Sequence, residues 1–284
     1  AHRFGVSVLV LCGIEELMSM FMVAGHKVAP LFDAGTGAEG GTDTIRVVLI
    51  AVVIAVSAIV LFGVERKQWG AALFGVGGVG GYVVEALARS GVGALDLIDH
   101  DTVSVSNLNR QIFALHSTIG RDKADVAKER VLDINPDIQV TLWKTFYLPD
   151  TADQFDLTQY DYIVDAIDTV TGKLELITRA KAAGTPILCA MGTGNKLDPT
   201  SFTVTDLSKT AGDGLARVMR KELKKRGITH LKVVYSTELP HKTLFQPEPE
   251  PGSTRRSTPG SVPFVPPVAG LIAASQVVKD LLAK

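Results

Sequence analysis

The chain has 284 residues, 46% of them hydrophobic and 21% charged. That supplies core for one large domain or two small ones and excludes a disordered or collagen-like chain. Lys and Arg number 29 against 30 Asp and Glu, a formal net charge of −1, so any polyanion site must be a local patch. Two cysteines, Cys12 and Cys189, and six scattered histidines exclude a disulfide framework, a four-thiolate zinc site and an H-E-x-x-H motif. A reducing, cytoplasmic setting is the default.

Mean hydropathy is +0.23, high for a soluble enzyme, and the excess lies near the N-terminus. Residues 47–64, VVLIAVVIAVSAIVLFGV, form an eighteen-residue run without charge. This is a membrane-helix candidate, since about 20 helical residues cross the hydrocarbon core. A long buried helix or a pair of Val/Ile-rich central strands accounts for the same run. Residues 4–25 are also apolar, but Glu15 and Glu16 in the middle argue against a second span, and the start matches a signal peptide poorly. The Gly-rich stretch 34–43 reads as a linker. The chain thus divides near residue 70, into an apolar N-terminal region (1–69) with the candidate membrane helix, and a body (70–284).

The body opens with AALFGVGGVGGYVVEALARSGVGALDLID. Residues 71–75 suit a short buried parallel strand. Gly75, Gly77, Gly78 and Gly80 set out G-x-G-G-x-G, and Val83, Val84, Leu87 and Ala88 recur at helical spacing until Gly91. A second strand over 94–98 leads to Asp99, nineteen residues beyond Gly80. Strand, glycine loop, helix, strand and acid make a Rossmann-type unit. Glycines without Cβ let the backbone approach a phosphate, free N–H groups at the helix start favour its charge, and the carboxylate accepts from ribose hydroxyls. A tight turn with no ligand is the competing reading, and the glycines alone do not separate NAD from ATP.

Further along, 123–132 and 171–183 read as helices, and 138–143, 160–166 and 186–191 as strands. The alternation predicts an α/β, Rossmann-like doubly wound, mostly parallel sheet. Asp165 and Asp168 fall at the C-terminal end of their strand, the edge at which open α/β sheets hold ligands. Cys189, inside the apolar run ILCAM, reads as core.

HDTVSVSNLNRQ spans 100–111 after Asp99, a helix carrying Lys123 comes next, and DAID occupies 165–168. This set resembles the ATP-dependent adenylyltransferase superfamily of ubiquitin-activating enzymes and the sulfur-carrier activators ThiF and MoeB. Within it, ALFGVGGVGGYVVEALARSGVG, MGTGNKLDPTSF, VVYSTE and PGSVPFVPPVAGLIAASQVVKDLL are similar to the tRNA threonylcarbamoyladenosine dehydratase family. The resemblance implies ATP as the nucleotide, with Gly75, Gly77, Gly78 and Gly80 around its phosphates and Asp99 on its ribose. It implies Asn107 and Arg110 on the triphosphate, Lys123 near the α-phosphate and Asp168 binding magnesium, with Arg110, Lys123 and Asp168 as the catalytic set. A carboxylate would attack the α-phosphorus while these groups stabilise the departing pyrophosphate. In the dehydratase family the threonyl carboxylate of the modified tRNA base is adenylated and then captured by the ureido nitrogen as a cyclic hydantoin. A homodimer follows by analogy only, and a sulfur-transfer partner is left open.

The departures bear on the choice of function. The two C-x-x-C pairs often found in ThiF- and MoeB-like proteins are absent, and residues 196–284 contain no cysteine for a thioester relay. The Arg-bearing helix ending near L-L-G with which family members usually begin is matched only faintly by Arg3-Phe4 and Leu11-Cys12-Gly13, and the run 47–64 then intervenes.

Residues 211–227, AGDGLARVMRKELKKRG, put Leu215, Val218, Met219 and Leu223 on one helical face, with Gly227 as C-cap. Arg217, Arg220, Lys221, Lys224, Lys225 and Arg226 occupy the rest, six cations in ten residues. Alone this is a solvated face; with the resemblance it is a candidate tRNA-binding surface. Residues 241–262 read as a mobile loop that either closes over substrate or merely connects. A final helix over 268–283 is expected to turn Leu271, Ile272, Val278, Leu281 and Leu282 inward. Three functions remain open: the ATP-dependent tRNA dehydratase, an adenylyltransferase for a sulfur-carrier protein with a Gly-Gly tail, and a non-catalytic nucleotide-binding or membrane scaffold. Localisation is cytoplasmic, with membrane anchoring if 47–64 inserts.

Overall fold

The structure is a computed structural model that describes residues 69–243 and 259–283. The expectations placed on 1–68, the membrane helix 47–64 among them, and on most of the loop 241–262 lie outside the described residues.

Seven strands form one sheet in the order β3-β2-β1-β4-β5-β7-β6: β1 Gly70–Phe74, β2 Ala94–Ile98, β3 Gln139–Trp143, β4 Tyr162–Asp165, β5 Ile187–Ala190, β6 Phe202–Asp206 and β7 Lys232–Ser236. All pairings are parallel except β6 with β7. The central strands β4 and β5 are buried at every residue, as a parallel sheet covered on both faces requires. The edge strands β3 (QVTLW) and β6 (FTVTD) carry polar residues on their more exposed positions.

Among the described residues five helices cover the sheet: α1 Gly80–Arg89, α2 Lys123–Ile134, α3 Val170–Ala183, α4 Gly214–Lys225 and α5 Val265–Leu282. One core contains Val83, Val84 and Leu87 of α1, Val126 and Val131 of α2, and Ala269, Ala273 and Val277 of α5. The opposite core contains Leu176 and Ile177 of α3 and Met219 and Leu223 of α4, with Phe74, Tyr147 and Phe155. Glu85 joins α1 to α2 by accepting from Arg130 Nε at 2.6 Å and from Arg89 Nε at 2.8 Å. Burial pushes its carboxyl up, but the two guanidiniums outweigh this and hold it below the usual carboxylate range.

The expected doubly wound α/β sheet is present, and the strands and helices expected up to residue 191 appear within a few residues of their expected ends. Two expectations are corrected. The last helix begins at Val265, and Leu271 and Leu282 are each 46% exposed. Leu281 is buried as expected and Ile272 and Val278 are half-buried against the core, and the rest of the inward face is Ala269, Gly270, Ala273, Ala274 and Val277, because α5 approaches α1 closely. A Cβ at Gly270 would lie 2.4 Å from the Val79 carbonyl oxygen, a spacing that only a small-residue face permits. On α4 the buried side chains are Ala216, Met219 and Leu223, at helical spacing, and Val218 turns outward. Gly227 does close α4, with φ +74° and Ile228 N–H donating to the Leu223 carbonyl at 3.0 Å. Among the described helices α5 alone is long and apolar enough to cross a membrane, and half of it is buried against the body.

Strand order reverses at β1, which lies between β2 and β4. The crevice above the C-terminal ends of β1, β2 and β4 is therefore where a doubly wound sheet places its ligand.

Candidate nucleotide site

The glycines of the first loop divide into two kinds. Gly75 has φ +93°, and a Cβ there would lie 2.7 Å from the Ala166 carbonyl oxygen; one on Gly80 would lie 1.8 Å from the Gly75 carbonyl oxygen. These two shape the turn. Gly77 and Gly78 face outward, toward Gln111 and Arg110: their Cβ positions are 3.7 Å from Gln111 Nε2 and 3.4 Å from Arg110 Cγ. Among the described residues, the N–H groups of Gly77, Gly78 and Val79 donate no hydrogen bond. They sit at the start of α1, whose first turn has no acidic residue and no side-chain cap. Such a terminus has unsatisfied donors and a partial positive charge, the requirement for holding a phosphate.

Asp99, at the end of β2, ties this loop to its neighbour. Its carboxylate accepts from Val76 N–H at 2.6 Å and from Asp101 N–H at 2.8 Å. Burial raises its pKa above the usual carboxylate value, and the Lys123 charge and the two amides compensate only in part. Lys123, at the start of α2, is buried, and its Nζ donates to Asp101 Oδ2 at 2.7 Å. Asn107 is buried, and its side-chain oxygen accepts from Ser104 N–H at 3.1 Å, closing the single 3-10 turn Val105–Asn107. That turn delivers Arg110 beside Gly78. Arg110 Nη1 donates to the Ser106 carbonyl at 2.8 Å and to Asn109 Oδ1 at 2.9 Å, and burial lowers its pKa. Asp168 lies exposed in the loop between β4 and α3, at the same sheet edge. Hard carboxylate oxygens of this kind suit magnesium, which keeps most of its shell as water and phosphate oxygen.

The expected nucleotide residues thus share one edge, on five loops and helix starts. The six basic residues of 217–226 lie on and just after α4, outside that cluster. Arg217, Lys221 and Lys224 are exposed and make no ion pair among the described residues. Arg220 is half-buried and donates to the Thr210 carbonyl at 2.7 Å. Lys225 and Arg226 both pair with Glu222. Cys189 is fully buried in β5, and burial pushes its thiol well above its ordinary pKa, so it is core and not a nucleophile.

Three features had no place in the sequence reading. Gln111 is buried beside Gly77. Lys196 Nζ, also buried, donates to Asp213 Oδ2 at 2.9 Å and to the Gly192 carbonyl at 2.7 Å. Asp165, which the sequence placed only at a strand end, is paired with Lys173 inside the protein. A lysine among the apolar positions of α3 was the one available signal for that pair. The acidic group Asp99, His100 and Asp101 brings its ligand atoms within 4.8 Å of one another, but Asp99 and Asp101 are already engaged with backbone amides and Lys123.

A doubly wound sheet with a donor-rich glycine loop, a carboxylate at the end of β2, and Arg110 and Lys123 at the same edge has the layout of a nucleotide-site α/β protein. The sequence profile of the ThiF family matches residues 65–284, and the chain belongs to that family. It is 43% identical over 218 residues to the tRNA threonylcarbamoyladenosine dehydratase of Bacillus subtilis, covering 74% of this chain and 86% of that one. Identity to the Escherichia coli enzyme of the same name is 37% over 231 residues, covering 74% and 85%. The crystal structure of the E. coli enzyme in complex with ATP has a TM-score of 0.68 and 36% identity, covering 80% of this chain and 93% of that chain.

Proposed function

We propose that this chain is an ATP-dependent tRNA threonylcarbamoyladenosine dehydratase, with its chemistry in the body from residue 70 onward. The observation that carries this is the 43% identity over 218 residues to an enzyme of that name, covering 86% of that enzyme. A carboxylate oxygen of the threonyl group attacks the α-phosphorus of ATP and pyrophosphate leaves. The ureido nitrogen then attacks the activated carbonyl, its proton passes to water, AMP departs with the carboxylate oxygen, and the hydantoin ring closes. Asp99 holds the ribose, and the N–H groups of Gly77, Gly78 and Val79 hold phosphate. Asn107 orders the turn and contacts the triphosphate beside Arg110. Arg110 and Lys123 carry the positive charge that matches charge developing on the leaving group. Lys123 exchanges its Asp101 partner for the α-phosphate. Asp168 would hold magnesium, which when bound neutralises phosphate charge. Arg217, Lys221 and Lys224 supply salt-dependent contacts to the tRNA backbone. The body works in the cytoplasm, where both substrates are present, and as a homodimer.

The absence of C-x-x-C pairs in the sequence supports this assignment over sulfur-carrier activation. Pyrophosphate and AMP release should be measured with tRNA bearing threonylcarbamoyladenosine and, separately, with a carrier protein ending in Gly-Gly. Release with the tRNA alone is the expected result; release with the carrier alone would overturn the proposal.

A further inference from the structure

Asp165 and Lys173 are both 1% exposed or less, and Lys173 Nζ lies 3.1 Å from Asp165 Oδ2. A buried ion pair is poor evidence of stabilisation, since apolar side chains of similar volume often serve the fold as well or better. The partners of this pair give it another role. Asp165 Oδ1 accepts from Ile167 N–H at 3.1 Å, and Lys173 Nζ donates to the Ala190 carbonyl at 2.8 Å. The pair therefore folds the 166–168 turn back onto the end of β4 and ties it to the end of β5. The glycine loop rests on that same turn. Ala166 N–H donates to the Phe74 carbonyl at 2.8 Å, the Gly75 Cβ position is 2.7 Å from the Ala166 carbonyl oxygen, and the Gly80 Cβ position is 3.4 Å from Ala166 Cβ.

We propose that the Asp165–Lys173 pair is a positioning device for the nucleotide site: it fixes the turn that seats the glycine loop and presents Asp168. Neither residue touches substrate. The magnesium role of Asp168 rests on the proposed function above, whereas the turn geometry does not.

The test replaces the pair in two ways. Asp165→Leu with Lys173→Met supplies apolar volume and no hydrogen bonds. Asp165→Asn with Lys173→Gln keeps a neutral acceptor for Ile167 and a neutral donor for Ala190. The apolar double variant should fold with an undiminished melting temperature, while amide hydrogens in a 166–168 peptide exchange about tenfold faster or more. Its kcat for AMP formation should fall on the order of ten- to a hundredfold, as misplacement of a site by about 1 Å produces, and half-saturating magnesium should rise. The neutral polar pair should restore slow exchange and most of kcat. An apolar variant with wild-type exchange, kcat and magnesium dependence would overturn the proposal. So would its failure to fold, because the pair would then support the sheet as a whole. Loss of kcat in a folded polar pair would also overturn it, since charge and not turn geometry would be responsible. Melting and exchange need no substrate, so a wild-type chain that fails to adenylate tRNA refutes the proposed function and leaves those two readouts to decide on the pair.

Discussion

Two alanine substitutions in the same loop should have opposite consequences. Alanine at Gly80 would put its Cβ 1.8 Å from the Gly75 carbonyl oxygen, so the turn would have to open by about 1.5 Å in an interior packed at crystal density. Overpacking of this severity costs about 3 kcal/mol or more, a large part of a total stability of about 5–15 kcal/mol. At roughly 2–4 °C per kcal/mol for a body of this size, the melting temperature should fall by about 6–12 °C. Alanine at Gly78 meets Pro266 Cβ at 3.2 Å and Arg110 Cγ and Cδ at 3.4 and 3.6 Å, side-chain contacts that small shifts relieve at about 1 kcal/mol or less. Its methyl group instead occupies the approach of phosphate to the loop and crowds Arg110. ATP affinity should fall about tenfold or more, equivalent to about 1.4 kcal/mol. Thermal unfolding and calorimetric titration with ATP and magnesium read both quantities. Wild-type ATP affinity in Gly78→Ala, or an unchanged melting temperature in Gly80→Ala, would refute the division of the loop into shaping and binding glycines.

Burial raises the Asp99 pKa, and ribose hydroxyls donate more strongly to an ionised carboxylate than to the neutral acid. ATP binding should therefore release protons in the acid range, and affinity should fall as pH falls through the raised value, a dependence lost in Asp99→Asn. In the unliganded protein the sign reverses: stability declines as pH rises from the ordinary carboxylate value through the raised one, since the unfolded chain ionises first. Asp168→Ala should leave the sheet folded while abolishing AMP formation; near-normal product would remove Asp168 from the site. Joint replacement of Arg217, Lys221 and Lys224 by alanine should weaken tRNA binding and reduce its log–log salt slope by up to about 3 without changing ATP affinity. Arg220→Ala should instead lower the melting temperature, because its guanidinium holds the Thr210 carbonyl. An inserted 47–64 segment would keep the full-length chain with membranes through carbonate extraction, and release to the soluble fraction would exclude insertion.

The groups proposed to face phosphate were legible because chain-local geometry specifies them. Gly75 to Asp99 spans one strand–helix–strand unit, and its spacing alone places a donor-rich loop beside a carboxylate. Arg110 and Lys123 needed the family resemblance, because a lone cation in a sequence is usually a solvated one. Strands β6 and β7 were not read as elements. The first is a polar edge strand, and the second is short and gives no period that separates it from a buried helical segment. The orientation of α5 differs from the hydrophobic pattern for a related reason: hydrophobicity ranks Leu271 above Gly270, whereas close approach to the Val79 carbonyl selects for the absence of a side chain.

The supporting groups leave no local signature in the sequence, for another physical reason. Asp165 and Lys173 are eight residues apart in the chain, but their partners Ile167 and Ala190 belong to different strand ends. Lys196 and Asp213 likewise join the loop after β5 to the start of α4, where Asp213 also accepts from Ala216 N–H at 2.8 Å. The sheet order creates these contacts, and periodicity carries no trace of it. Lys173 and Lys196 are the two most deeply buried of the three buried lysines, and their burial costs solvation that only fixed partners offset. Both lysines are held by a carboxylate and a backbone carbonyl at the C-terminal edge of the sheet, the edge that carries the nucleotide groups. On the proposed function, these fixed partners lie where backbone amides would have to meet a phosphate at set distance. A glycine loop whose seat moved would retain its sequence signature and lose the geometry on which electrostatic stabilisation depends.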